Sequence, residues 1–325
     1  MQHLLLDNLP SPIINDPALP LISIVTPSYN QGKFIRATIE SVLTQDYPNI
    51  EYWVIDGVSS DETISILKEY EHDQRFHWIS ESDKGQSDAI NKGLARCRGT
   101  LFSWLNSDDL LLKGALYYVA DAWKKLSQPA IIYGLARLID DAGNDLGYCP
   151  MQTSFMNLEK LLWTATSPVQ PATFLPTEIV RKVGGVDLSL HYLMDFDLLI
   201  RAGQCVPFVH VSFDLAYFRL HSGSKTVSLA PKFVNDIDTI MQRVAQQGLL
   251  SVSQANARSS LYAARVYLLP GVRDIYSALI RLREAINNDY KVFPYAVFVF
   301  FKGIIRLFIG EKYWSKVRLF KTRLS

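Results

Sequence analysis

Between residues 21 and 105 short apolar runs alternate with amphipathic ones, and this alternation most limits the folds open to the chain. "LISIVTPSYN" is a strand ending at Pro27, and "GKFIRATIESVLTQ" sets Phe34, Ile35, Ile39, Val42 and Leu43 on one helical face. "IEYWVID" is a second strand. It leads into "SSDET", where Ser59, Ser60 or Asp61 can cap a helix start. "RFHWIS" is a third strand, "GQSDAINKGLARCRG" a helix closed by Gly99, and "TLFSWLN" a fourth strand. Strands separated by helices pair in parallel through right-handed crossovers, which gives a doubly wound α/β sheet.

In such a sheet ligands bind beyond the carboxyl ends of the strands. Each strand here ends in polar residues: Tyr29 and Asn30, then Asp56, then Glu81 and Asp83, then Asn106 and Asp108. These are expected to meet along one edge.

Farther on, "AIIYGLARLID" and "PFVHVSFDLAYFRLH" read as strands expected to run antiparallel. They flank a helix starting near Tyr192. From about residue 231 the chain turns helical. The organisation expected is an extended lead-in over 1–20, an α/β domain over 21–230 and a helical region over 231–325. The lead-in has no basic start and its apolar run is broken by Asp7 and prolines, so it does not read as a signal peptide.

Composition narrows the partners. With 33 Lys and Arg against 32 Asp and Glu, the net charge of +1 gives no bulk attraction to nucleic acid. The three cysteines, Cys97, Cys149 and Cys205, form no C-x-x-C pair, which suits a reducing, cytoplasmic setting.

Asp108 and Asp109 lie at the mouth of an apolar strand, where adjacent carboxylates repel and resist burial. They form either a turn with Asx-type bonds or a site for Mg²⁺ or Mn²⁺ facing a diphosphate. Asp195 and Asp197 open the helix in "MDFD". Two residues apart, they cannot share a helical face, so one can point into a site while the other serves structure. An aspartate so placed could be the general base on an acceptor hydroxyl, or could simply complement the helix dipole. His221 precedes a Ser/Gly-rich loop bearing Lys225 and is competent as a Mn²⁺ ligand, although a lone histidine is more often structural. "GVSSD" and "DKGQSD" are Gly-containing turns, neither of them a P-loop.

The blocks "VTPSYNQGKFIRATIESVLTQDYPNIEYWVIDGVSSDET", "ESDKGQSDAINKGLARCRGTLFSWLNSDDLLLKGAL", "QPATFLPTEIVRKVGGVDLSLHYLMDFDLLIRAG" and "YFRLHSGSKT" together resemble the family 2 glycosyltransferases of GT-A fold. The resemblance runs in order from about residue 21 to 226, roughly two thirds of the chain. It implies a mostly parallel, Rossmann-like mixed sheet with helices on both faces, here followed by a helical extension. It also implies an inverting, cation-dependent transfer from a nucleoside-diphosphate sugar, foremost a UDP-sugar, to an acceptor hydroxyl of a glycan or lipid-linked acceptor.

By that resemblance Pro27, Tyr29 and Asn30 pack on the nucleotide and Asp56 lies near its base. Asp83, Lys84 and Gln86 form the loop approaching it, with Asn91 on the helix that follows. Asn106, Ser107 and Asp108 match the family's D-x-D, with Asn106 in place of the first Asp. Asn106 can bond a ribose hydroxyl but adds no charge, so the metal would rest on Asp108, Asp109, His221 and the diphosphate. Asp195 matches the acceptor-activating base. Two other readings stand beside this one. A catalytically silent sugar-nucleotide or glycan-binding module is motivated by Asn106. A nucleotidyltransferase would favour a Gly-rich basic loop that "TPSYNQGKF" does not supply.

Residues 292–310 are apolar but interrupted by Lys302 and Arg306, and a central charge makes a membrane span costly. From Lys302 to the end there are seven Lys or Arg against Glu311. Two readings remain: an amphipathic helix at the cytoplasmic face of a membrane, or a packed helix whose basic residues face water.

Overall fold

The computed structural model describes residues 19–149, 155–164, 166–221, 223–224, 232–269 and 272–309. The lead-in over 1–18, Lys225 and the basic end over 310–325 lie outside the described residues. The chain divides into two units. One comprises Met1–Leu158, Ser167–Ser189 and Met194–Arg219, and the other Glu159–Thr166, Leu190–Leu193 and Leu220–Ser325.

In the first unit the expected alternation is present: β1 (Ile22–Ser28), α1 (Gly32–Leu43), β2 (Ile50–Asp56), α2 (Thr63–Glu69), β3 (Phe76–Ser80), α3 (Gln86–Arg96) and β4 (Leu101–Trp104). β1 is buried along its whole length, as a parallel strand covered on both faces must be. β3, β2, β1 and β4 lie in that order and pair in parallel. Helix α3 stops at Arg96 rather than at Gly99. Gly99 serves another purpose: a Cβ there would stand 2.6 Å from Ser23 Oγ, so its bareness lets the chain run close beside β1.

After β4 come β5 (Leu110–Leu111), α4 (Ala115–Lys124), β6 (Ile131–Ile139) and β7 (Asp145–Tyr148), then β8 (Thr173–Pro176), α6 (Thr177–Lys182), α7 (Met194–Gly203) and β9 (Phe208–Arg219). The short helix α5 (Leu158–Thr164) falls almost wholly in the second unit. β8 joins the two halves of the sheet, antiparallel to both β4 and β6. β6 and β9, expected to be antiparallel, instead run parallel. The long connection between them, which ends in α7, provides the crossover that parallel pairing requires. The result is a mixed α/β sheet ordered β3-β2-β1-β4-β8-β6-β9-β5, with β7 on β6.

The second unit continues with α8 (Phe233–Gln246), α9 (Val252–Tyr267), α10 (Ile275–Asn288) and α11 (Phe293–Ile309). Ser251 and Gln254 form a reciprocal capping box at the start of α9, and Asp274 caps α10 by accepting from Ser277 N–H. Small residues fill the seam among these helices, among them Ala257, Ala264, Ala278, Ala285 and Ala296, and let the helices approach closely. Arg258, 1% exposed, pairs with Asp289 and lies 3.8 Å from the centroid of Trp163. Trp104 is core in β4. Among the described residues no helix is long and apolar enough to cross a membrane.

Candidate functional site

The carboxyl edge of β1–β4 gathers the strand-end residues as the topology requires. Register pairs Ser28 with Asp56 and Asp56 with Ser80, so three strand ends stand level. The Asp56 carboxylate is fully buried. It accepts from Ser59 N–H at 2.9 Å, from Ser59 Oγ and from Ser80 Oγ at 2.7 Å. Asp56 thereby fixes the loop after β2. Ser59 Oγ in turn accepts Asn30 N–H at 2.7 Å, and Asn30 Oδ1 accepts Ser60 N–H at 2.9 Å. Asn30 takes up φ +50° to do so, a conformation Asn tolerates better than most residues.

Asp61, one of the cap candidates, bridges two helix starts. It accepts Gly32 N–H at the head of α1 and Thr63 N–H at the head of α2. Burial works against its charge, but these bonds hold its carboxyl below the usual range. Tyr29 stands 62% exposed beyond β1, whereas Pro27 is buried within the strand.

Tyr29, Gly57 and Asp83 come together. A Cβ on Gly57 would lie 2.7 Å from Asp83 Oδ2 and 3.5 Å from the Tyr29 ring. Asp83 also accepts Gly85 N–H at 2.7 Å, which shapes the loop entering α3. Lys84 is exposed and its N–H bonds Asp88. Asn91, expected beside the nucleotide loop, has its amide on the Val186 backbone, donating to the carbonyl at 2.7 Å and accepting the N–H at 2.8 Å. It locks α3 to the chain ahead of α7. Gly184 and Gly185, both at positive φ, form the turn that closes α6.

The acidic loop between β4 and β5 is held from three sides. Thr38 of α1 sends one hydroxyl to the carbonyls of Ser107 and Asp109, both at 2.9 Å. Gln86, at the first turn of α3, donates to Asn106 Oδ1 at 2.7 Å. Asn106 donates to Asp109 Oδ2 at 3.1 Å and to Gln170 Oε1 at 3.3 Å. From the end of β9, Arg219 gives its backbone N–H to Asp109 Oδ1 at 2.9 Å and its Nε–H to the Asp108 carbonyl at 2.8 Å.

The two carboxylates consequently differ. Asp109 is 1% exposed and turned inward, and burial followed by the nearness of Asp108 pushes its carboxyl well above the usual range. Asp108 remains half-buried. One partly exposed carboxylate beside an amide-lined turn fits a hard cation that takes its other ligands from phosphate oxygens and water. Among the described residues no group of three or more His, Cys, Asp or Glu could hold a metal alone.

Asp195 is half-buried in the first turn of α7. The structure separates it from Asp197 as their spacing demands: Asp197 is 4% exposed and paired to Arg201 at 2.6 Å, and Arg201 reaches the Val183 carbonyl. Its other neighbour, Met194, accepts a weak bond on sulfur from Ser87 Oγ at 3.4 Å. His221 belongs to the second unit, where its carbonyl accepts both N–H and Oγ–H of Ser224.

Arg219, Gln170, Thr38 and Ser80 are not among the residues expected at the site; Thr38, Gln170 and Arg219 lie inside the blocks that resemble the family, the only local signal they give.

A Rossmann-like mixed sheet with an acidic turn at the end of β4 is the architecture of the GT-A glycosyltransferases. Residues 23–182 match the family described as "Glycosyl transferase family 2". An uncharacterized glycosyltransferase of Mycobacterium tuberculosis is 32% identical over 195 residues, 58% of this chain and 71% of that protein. The chain belongs to glycosyl transferase family 2.

Chondroitin synthase of Escherichia coli is 30% identical over 211 residues, which is 64% of this chain but 30% of that protein, so the chain spans under a third of that relative's length. Among solved structures, Staphylococcus aureus TarS with UDP-GlcNAc superposes at a TM-score of 0.60, 17% identity and 91% coverage of both chains. A Pyrobaculum calidifontis mannosyltransferase solved with GDP-Man and Mn²⁺ superposes at 0.55, 16% identity and coverage of 92% of this chain and 84% of that one. These last two share the fold.

Proposed function

We propose that the protein is an inverting glycosyltransferase moving a sugar from a nucleoside-diphosphate sugar to an acceptor hydroxyl in polysaccharide or cell-surface glycan assembly. One observation carries this reading. Consecutive residues at the head of α3 touch both halves of the site: Gln86 bonds Asn106 in the acidic loop, and Ser87 bonds Met194, next to Asp195. The turn that holds the acidic loop thus also touches the residue before Asp195.

Asp56, through Ser59 and Asn30, shapes the shelf for the base, with Tyr29 and Asp83 beside it. Asp108 would hold Mn²⁺ or Mg²⁺ against the diphosphate, while Asp109 orients the turn from inside. When bound, the cation offsets the negative charge that grows on the departing diphosphate. Asp195 accepts the proton of the acceptor hydroxyl. That oxygen bonds the anomeric carbon as the carbon–diphosphate bond breaks on the opposite face. All of these residues belong to the first unit. Support comes from the relatives' names and from the nucleotide sugars in the two solved structures, UDP-GlcNAc and GDP-Man.

A thermal-shift panel of UDP-, GDP- and dTDP-sugars with and without Mn²⁺ tests the donor reading, since ligand binding to the native state raises its stability. A shift with one nucleotide class that grows with Mn²⁺ is expected. No shift with any of them contradicts the proposal.

A further inference from the structure

The second unit carries a surface that sugar transfer does not use. Helix α11 is apolar on two sides. Val292, leading into the helix, and Ala296 and Val299 within it face the small-residue core, with Ile304 and Leu307 packed against that core. Phe293, Val297, Phe298, Phe301 and Ile305, spaced by four, one, three and four residues, are 37–59% exposed on the outer side. Helix α10 repeats the pattern with Ile275, Tyr276, Leu279 and Ile280, 40–77% exposed. Between the helices an open cleft of about 560 Å³ is lined by Ile286, Tyr290, Lys291, Phe293 and Pro294. A helix apolar all round is ordinarily enclosed, by protein or by lipid.

Charge decides the occupant. The outer row of α10 continues from Tyr276, Leu279 and Ile280 to exposed Arg283, Lys291 lines the cleft, and Lys302 reaches back along α11 to within 5.5 Å of the Phe298 centroid. The acids on these elements are engaged elsewhere: Asp274 caps α10, Glu284 bonds Arg281 and Ser260, and Asp289 bonds Arg258. After Lys302 the sequence adds six more basic residues against Glu311. A symmetric second copy would set these cations against their own equivalents. Nor does α11 suit a span, because Lys302 lies inside it and a charge within the hydrocarbon core is costly. Aromatic side chains rimmed by long cations match the interface of an anionic bilayer, where lysine stems lie along apolar surface and their heads meet phosphate.

We infer that α10 and α11 form a face that docks on an anionic lipid bilayer, lying in its plane. The inference is independent of the donor reading, because lipid binding is read without any sugar nucleotide.

The test is flotation of the full chain with vesicles of phosphatidylcholine alone and of phosphatidylcholine with 30 mol% phosphatidylglycerol (about a third anionic, to engage juxtamembrane cations). Flotation with the anionic vesicles only is expected, weakening about tenfold or more between low and high salt. The double variant F298S/F301S should lower partitioning by about tenfold or more. Both side chains are exposed, so its unfolding midpoint and nucleotide response should match the wild type. No flotation with anionic vesicles overturns the inference, as does flotation indifferent to the double variant. So does a dimer in light scattering that the same substitutions dissolve while vesicles capture nothing, or flotation that appears only once residues 310–325 are removed. The last two outcomes assign the face to a second copy or to the chain's own end.

Discussion

Asn106 donates its side-chain amide to the buried carboxyl of Asp109 across 3.1 Å. A carboxylate at position 106 could not donate, and would face a second buried acid. Asn106→Asp should therefore destabilise the fold by about 1–3 kcal/mol at neutral pH, and less in acid, where the new pair shares a proton. Denaturant titrations at two pH values measure this.

Asp109 has its own pH signature. Burial, then Asp108, raises its carboxyl well above the usual range. The folded chain thus keeps a proton there that the unfolded chain has released. That contribution to stability is whole below the ordinary carboxylate value and is lost as pH climbs toward the folded value. Relative to Asp109→Asn, the wild type should lose stability from about pH 4 upward, with a slope approaching about 1.4 kcal/mol per pH unit. Unfolding of both proteins across pH checks it, and parallel curves would count against a raised Asp109.

Thr38 serves the loop with a single hydroxyl, shared by the carbonyls of Ser107 and Asp109. Thr38→Val keeps the shape and removes the donor. A loss of about 1 kcal/mol in stability is expected, together with weaker nucleotide-dependent stabilisation in thermal shift.

Gly57 faces the end of Asp83, with room for a proton but not for a methyl group. In Gly57→Ala the Asp83 side chain must swing away from the new methyl group. Its flexible end can yield, so stability should fall by less than about 1 kcal/mol, while nucleotide affinity measured by calorimetry should drop severalfold.

Much of the first unit was legible because its signals are local. Buried parallel strands read as unbroken apolar runs, and polar residues at four successive strand ends marked the edge where Asp56, Asp83 and Asn106 now stand. What escaped was long-range. Arg219 reaches Asp109 across 110 positions of sequence and Asn91 reaches Val186 across 95. β8 slots between β4 and β6 although "TFLP" is too short to announce a strand. The parallel pairing of β6 with β9 is likewise set by which strands become neighbours, something no run of side chains states. The contrast between Asp108 and Asp109 belongs to the same class, since adjacent identical residues are told apart only by the partners the fold brings to them.

The central claim is that one carboxylate readies the acceptor while another, across the site, serves the leaving diphosphate. Hydrolysis of the donor identified by thermal shift, followed for wild type, Asp195→Asn and Asp108→Ala, tests it most directly. Asp195→Asn should bind the nucleoside diphosphate as the wild type does yet turn over about 10²–10⁴-fold more slowly, and Asp108→Ala should lose the Mn²⁺-dependent part of binding. Wild-type turnover by Asp195→Asn, or undiminished Mn²⁺ response by Asp108→Ala, would contradict the account.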